Sequence, residues 1–275
     1  MRFKKYKILI NGRKTFYWQA NSENKKVLVL SHGVPGNHKI LIDMARHFSG
    51  FRVIIPDLPA CGQSEPLLQE HILKNYVSWL NSFLEALLID KATIIGYSFG
   101  SRVALAFCNA YEKKVEKLIL ITPVVKVDSL IARIASFEYN VAGFLPSSIK
   151  KMWLGNKVYS TAKNMIIYKS ASAKRRNKLI ADDEKEAKDM YAQAIVEIFN
   201  EFYHAAPISS GKKINTKTLL IAADEDEIAT VESVKELLKR FSNAELKIIK
   251  KSGHIVPGER PGKLGRILNN WLAIS

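Results

Sequence analysis

The sequence predicts an α/β protein: a mainly parallel β-sheet flanked by helices, begun by a short antiparallel hairpin and interrupted by a helical insertion. Three observations predict it. Apolar, β-rich runs alternate with helical patterns along most of the chain, as in parallel βαβ units with right-handed crossovers. The run VLVLSHG at 27–33 is continuously apolar up to its turn, as a strand buried on both faces must be. The alternation stops over 124–207, which is polar and helical in pattern, and resumes at Lys217. The domain reading is a core of 1–123 and 208–275 with 124–207 inserted, leaving at about Thr122–Val125 and rejoining at about Ile208–Lys213.

In chain order, Ile8–Ile10 and Thr15–Trp18 flank Asn11-Gly12, a hairpin turn signal. The strand at 27–33 is followed by a helix around 38–48 and a strand from Arg52 (RVIIPDLP). Residues 69–88 place Leu73, Tyr76, Val77, Leu80, Leu84 and Leu87 on one helical face. ATIIGYS is the next strand, 99–111 a helix, and VEKLILITPV from Val115 another strand. After the insertion come a strand through Leu219–Ala222, a helix at 230–240, a strand from Ala244 and a last helix at 261–273.

A length of 275 residues is ample for one large core. The N-terminal apolar run, Ile8–Ile10, is too short for a signal peptide, and no run approaches the roughly 20 residues of a membrane span, so the expected compartment is the cytoplasm. Two cysteines, Cys61 and Cys108, make neither a disulfide framework nor a zinc site and fit a reducing environment. The net charge of +16 is concentrated only at the N-terminus, where residues 1–26 hold eight basic residues and one acidic. Basic runs such as Lys174-Arg175-Arg176 lack interleaved aromatics. They read as solvated surface, which speaks against nucleic acid as a partner.

Chemistry is suggested by IIGYSFGSRVAL at 94–105. Gly96-Tyr97-Ser98-Phe99-Gly100 falls between a strand and a helix. The glycines allow a tight bend, and the helix N-terminus beyond it favours negative charge. A serine there needs a base. Of six histidines, His254 lies in KKSGHIVPGERP, past the last strand, so both residues fall at strand carboxyl ends. The acid that orients such a base is sought in Asp224, Glu225, Asp226 and Glu227, the acidic cluster at the end of the intervening strand. Asp226, two residues past the strand exit, is favoured to hydrogen-bond His254 Nδ1. Asp224 stands second and is expected to form the turn. The N–H groups of Phe99 and Val34 are candidate oxyanion donors, with Gly33 and Gly36 allowing close backbone approach. His32 is read as a structural histidine of that loop.

The chain resembles the α/β-hydrolase superfamily, in particular its capped esterases, lipases, C–C hydrolases and haloperoxidases. The matching residues are His32-Gly33-Val34-Pro35-Gly36, the stretch Asp57–Ser64 (DLPACGQS), the corner Gly96–Gly100, the acid loop ending in Asp226, and Gly253-His254. They occur in family order over nearly the whole chain. The resemblance implies an eight-stranded-type sheet with the 124–207 insertion as a cap. It implies Ser98 as nucleophile, His254 as base, Asp226 as orienting acid, and Val34 and Phe99 amides as the oxyanion hole. Ala60 and Ser101 depart from the family, which commonly has glycine at both places.

A serine at the corner argues against the epoxide hydrolases and dehalogenases, which use aspartate there. The expected activity is carboxylic-ester hydrolysis on a small acyl substrate, with no metal and no organic cofactor. The alternatives are C–C bond hydrolysis by the same triad, or a non-catalytic ligand-binding use of the fold. Phe137, Tyr139, Phe144, Met152, Trp153, Tyr168 and Phe202 are expected either to line a pocket or to form the cap's own core. Cys61 is read as a packed bystander. Oligomeric state is left open.

Overall fold

A computed structural model describes residues 1–125, 141–146, 149, 152, 176–181, 191–204, 208 and 211–273. Its strands are β1 (Lys4–Ile10), β2 (Arg13–Ala20), β3 (Val27–Ser31), β4 (Arg52–Pro56), β5 (Ala92–Tyr97), β6 (Val115–Ile121), β7 (Thr218–Ala223) and β8 (Ala244–Ile249). They form one eight-stranded sheet in the order β1-β2-β4-β3-β5-β6-β7-β8. The pairs β1/β2 and β2/β4 are antiparallel and the rest are parallel.

The central strands are apolar on both sides because helices cover both sides. Val29, Ile54, Ile94, Leu118, Leu120 and Leu220 face α2 (Leu73–Ala86) and α3 (Phe99–Ala110). Their alternates Leu28, Leu30, Ile55, Ile95, Ile119 and Ile221 pack towards α1 (Lys39–Ala45) and the C-terminal helix Pro261–Ala273. Period-two alternation sorts the two sets.

The opening hairpin is longer than its apolar residues suggest, pairing Lys4↔Gln19 through Ile10↔Arg13. Asn11 (φ 50°) and Gly12 (φ 76°) make a two-residue turn with both residues left-handed, the geometry whose twist suits a hairpin. β1 is an edge strand, and Lys4, Lys5 and Lys7 lie exposed on it. Edge lysines hinder pairing with another chain, which gives part of the N-terminal charge a structural reason.

Because β6 and β7 are sheet neighbours, the chain between them leaves the sheet and returns beside its exit. Ile208 N–H donates to Val125 O at 3.1 Å and ties the two ends together. Among the described residues of this stretch there is no strand. Its longest described element is α4 (Ala192–His204), and 141–144 and 176–181 are helical. Two carboxylates one turn apart dock α4 on the start of α2, which has no side-chain cap of its own. Glu197 accepts from His71 N–H at 2.8 Å, and Glu201 from Leu73 N–H. Phe137, Tyr139, Trp153, Tyr168 and the Phe202 side chain lie outside the described residues. Phe144 and Met152 stand 92% and 72% exposed.

The chain closes through α5 (Val231–Leu238), capped by Thr230 Oγ1 accepting from Ser233 N–H, then α6 (Val256–Glu259) and α7 (Pro261–Ala273). The short α6, with a proline in its first turn, was not expected from the pattern.

Candidate active site

Ser98 lies between β5 and α3 at φ 52°, ψ −116°. This is costly for a residue with a side chain and is typical of functional turns. Packing enforces it. A Cβ on Gly96 would meet Gly100 O at 2.3 Å, and one on Gly100 would meet Ser31 O at 2.2 Å. Only glycine at both places lets α3 start against β3. Ser98 N–H donates to Ile121 O at 3.0 Å. Ser101, where the family commonly has glycine, puts its hydroxyl on Gly96 O (2.8 Å) and Ile121 O (3.1 Å), bracing the same corner.

Three side chains from three strand ends form one hydrogen-bonded line. Ser98 Oγ stands 2.9 Å from His254 Nε2, and His254 Nδ1 stands 2.8 Å from Asp226 Oδ2. With the acid as acceptor, Nδ1 carries the proton and Nε2 is free to accept from the serine hydroxyl. Asp226 is buried. Burial pushes its carboxyl up, but the His254 imidazole and the Ala229 and Ile228 amides outweigh this and hold it below its usual range.

The structure divides the acid loop differently from the expectation. Asp226 also makes the turn: its Oδ1 accepts from Ile228 N–H (2.8 Å) and Ala229 N–H (2.9 Å). Asp224 reaches across to the histidine loop instead, accepting from Ser252 N–H at 3.4 Å. A carboxylate has lone pairs for both tasks, so Asp226 needs no separate turn former.

Val34 follows Gly33 in the loop after β3. That loop runs tight against the serine, since a Cβ on Gly33 would lie 3.1 Å from Ser98 Cβ. Phe99, the first residue of α3, offers its N–H at the helix N-terminus. His32 is buried and bonds locally. Its Nδ1–H donates to Gly33 O (2.7 Å) and its Nε2 accepts from Leu58 N–H (3.0 Å), with burial holding its pKa down at about 4. Ala60 sits at φ 66° in the turn below, where glycine is easier. Cys61 and Cys108 are buried without a disulfide, Cys61 within the core. Among the described residues no group of three His, Cys, Asp or Glu could hold a metal.

Two residues missed in the sequence hold the histidine loop. Thr122, buried at the end of β6 with φ 42°, donates from Oγ1 to His254 O at 3.2 Å. Glu259 Oε2 accepts from Gly253 N–H (2.8 Å) and Ser252 Oγ–H (2.9 Å). Burial pushes the Glu259 carboxyl up, the Gly253 amide and Ser252 hydroxyl offset this in part, and Asp226 adds to the rise. A polar residue ending an apolar strand was the available signal for Thr122; Glu259 falls in the stretch read as a loop before the last helix, where nothing marked it.

A sequence model of the family described as alpha/beta hydrolase fold matches residues 26–261. Lipase 1 of Psychrobacter immobilis is 25% identical over 251 residues, covering 90% of this chain and 77% of the lipase. The 2-hydroxy-6-oxononadienedioate/2-hydroxy-6-oxononatrienedioate hydrolase 1 of Pseudomonas putida is 24% identical over 270 residues, covering 91% and 89%. Among solved structures, a thermophilic esterase from Thermogutta terrifontis superposes with a TM-score of 0.76 at 18% identity over 98% of both chains, a likeness of fold. The sheet order, the strained serine corner and a match across residues 26–261 place this chain in the alpha/beta hydrolase fold family.

Proposed function

We propose that the chain is a serine hydrolase of carboxylic esters, with Ser98 as nucleophile, His254 as general base and acid, and Asp226 as orienting acid. The observation that carries this reading is the line Ser98–His254–Asp226, at 2.9 and 2.8 Å, on a turn strained to present the serine. His254 Nε2 takes the hydroxyl proton as Oγ attacks the ester carbonyl. The negative oxygen is held by the N–H groups of Val34 and Phe99, and by the positive end of α3. His254 returns the proton to the leaving alcohol. A water then attacks the acyl-enzyme, gives its proton to His254, and releases the acid and free Ser98. Asp226 stays ionised and stabilises the imidazolium. These steps call on no metal or organic cofactor. Residues 124–207 form the cap over this site and select the acyl group, while 1–123 and 208–275 form the catalytic core.

The Pseudomonas putida relative favours a second reading, hydrolysis of a C–C bond by the same triad. Steady-state kinetics on p-nitrophenyl esters of graded chain length, beside a 2-hydroxy-6-oxo-dienoate of the kind that relative's name describes, separates the two. Saturable turnover of an ester, with the dienoate untouched, supports the first; the reverse pattern supports the second.

A further inference from the structure

The end of the sheet opposite Ser98 carries an arrangement that ester hydrolysis does not use. Four adjacent parallel strands each bring a lysine to their N-terminal end: Lys26 directly before β3, Lys91 directly before β5, Lys117 within the start of β6, and Lys217 directly before β7. Their registers align in two pairs. β3 pairs Leu28 with Thr93, so Lys26 and Lys91 lie side by side two residues earlier. β6 pairs Leu118 with Thr218, so Lys117 and Lys217 lie side by side one residue earlier. They also share a face. Each is an even number of residues from Leu28, Ile95, Ile119 or Leu219, which all pack on the α1 and α7 side. Neighbouring strands are only about 4.8 Å apart, so the lysines form two close pairs, and the register shift between β5 and β6 sets Lys117 opposite Thr93.

Lys26, Lys91 and Lys117 border a concavity. A partly open cavity of about 230 Å³ is lined by Lys25, Lys26, Lys91, Lys117, Thr93 and Leu272 of α7. Its volume corresponds to about eight waters. Glu116, the acid in its lining, is paired with Lys91 at 2.7 Å. Lys117 and Lys217 each place Nζ 5.6 Å from the Trp271 ring centroid, and Lys117 Nζ also donates to Leu272 O at 3.4 Å.

We propose that this cavity is a binding site for a small phosphate-bearing anion of the size of pyrophosphate or a phosphomonoester. Lysine ammonium groups bind phosphate as mobile point charges, and four lysines, Lys25, Lys26, Lys91 and Lys117, line this one small space. The crowding has a cost that an anion relieves: burial, then the charges of Lys217 and Lys26, hold the Lys117 ammonium below its ordinary pKa. A cavity of this volume fits a compact ligand better than the continuous backbone of a polymer. The lysines of β1 lie on the far edge of the sheet and take no part.

The test is calorimetric titration of the full chain with inorganic pyrophosphate at low ionic strength. The proposal expects saturable one-to-one binding that weakens as salt screens it. Lys26→Gln with Lys117→Gln is expected to weaken binding about tenfold or more, a loss of about 1.4 kcal/mol or more. Lys4→Gln with Lys7→Gln removes the same charge from β1 and is expected to bind as wild type. Lys91→Gln, at an exposed position, is a second variant if the first pair melts early. Ester hydrolysis is expected to be unchanged in all of them. Non-saturable heats, or equal weakening by the β1 pair and the cavity pair, would overturn the proposal. So would retention of heparin or anionic phospholipid vesicles in preference to pyrophosphate.

Discussion

Replacing Asp226 by asparagine separates what this residue does for the fold from what it does for the chemistry. Asp226 Oδ1 already accepts two amides, Ile228 N–H and Ala229 N–H, while Oδ2 faces His254 Nδ1 at 2.8 Å. An asparagine must keep its carbonyl oxygen on the amides, because its NH₂ cannot accept from them. The NH₂ is then forced onto Nδ1. It donates, Nδ1 becomes the acceptor, and the ring proton moves to Nε2, where it faces Ser98 instead of a lone pair. The serine loses its base while the loop keeps its turn. By the serine-protease precedent the rate falls about 10⁴-fold, about 5 kcal/mol of transition-state stabilisation. Asp226→Ala also strands the buried Ala229 amide, at a cost of about 1–3 kcal/mol in stability. The assay is kcat/KM on a p-nitrophenyl ester, normalised to folded protein, with thermal melts of both variants. An Asp226→Asn enzyme within tenfold of wild type, or one that melts as early as Asp226→Ala, would refute the reasoning.

Other substitutions probe the same frame. Gly100→Ala puts a methyl 2.2 Å from Ser31 O, against a floor of 3.0 Å for real contacts, so α3 must withdraw by nearly an ångström. The expected results are about 1–3 kcal/mol of destabilisation and about a 10²-fold rate loss, measured by melts and kcat. Glu259→Ala frees the Gly253 amide and Ser252 hydroxyl, and is expected to lower kcat about tenfold with KM unchanged. Glu259→Gln, which keeps an acceptor in place, should restore it; an equal loss in both variants would mean charge and not position. Asp226 has a depressed carboxyl pKa in the folded state. Its contribution to stability is therefore present above the unfolded value of about 3.9 and lost as pH falls through the folded one. The melting difference between wild type and Asp226→Asn should narrow below about pH 4, and a difference that widens there would contradict the assignment.

The fold was legible where burial leaves a local mark. Two-sided burial made β3, β5 and β7 continuous apolar runs, and glycine at 96 and 100 marked a corner that no side chain fits. Asp226 could be singled out because a residue two past a strand exit reaches back over the sheet edge. What was not legible depends on contacts distant in sequence. Thr122 meets His254 across 132 residues, and Glu259 looks exposed until its helix turns it onto Gly253. The length of β1 was hidden by its own lysines, which an edge strand tolerates and a central one does not. In 124–207 helical periodicity gives elements but not which side chains face a pocket, and Phe144 and Met152 prove exposed.

If Ser98 is an activated nucleophile, it reacts covalently with an electrophile that mimics the ester. The protein is treated with a fluorophosphonate, the adduct is located by intact-mass and peptide mass spectrometry, and wild type is compared with Ser98→Ala and His254→Ala. One adduct per wild-type chain is expected, on Ser98, with ester hydrolysis lost in proportion. No adduct is expected in Ser98→Ala and a strongly slowed one in His254→Ala, with both variants folded as judged by circular dichroism. Hydrolysis that survives in Ser98→Ala, or an adduct on another residue that accompanies loss of activity, would contradict Ser98 as the nucleophile.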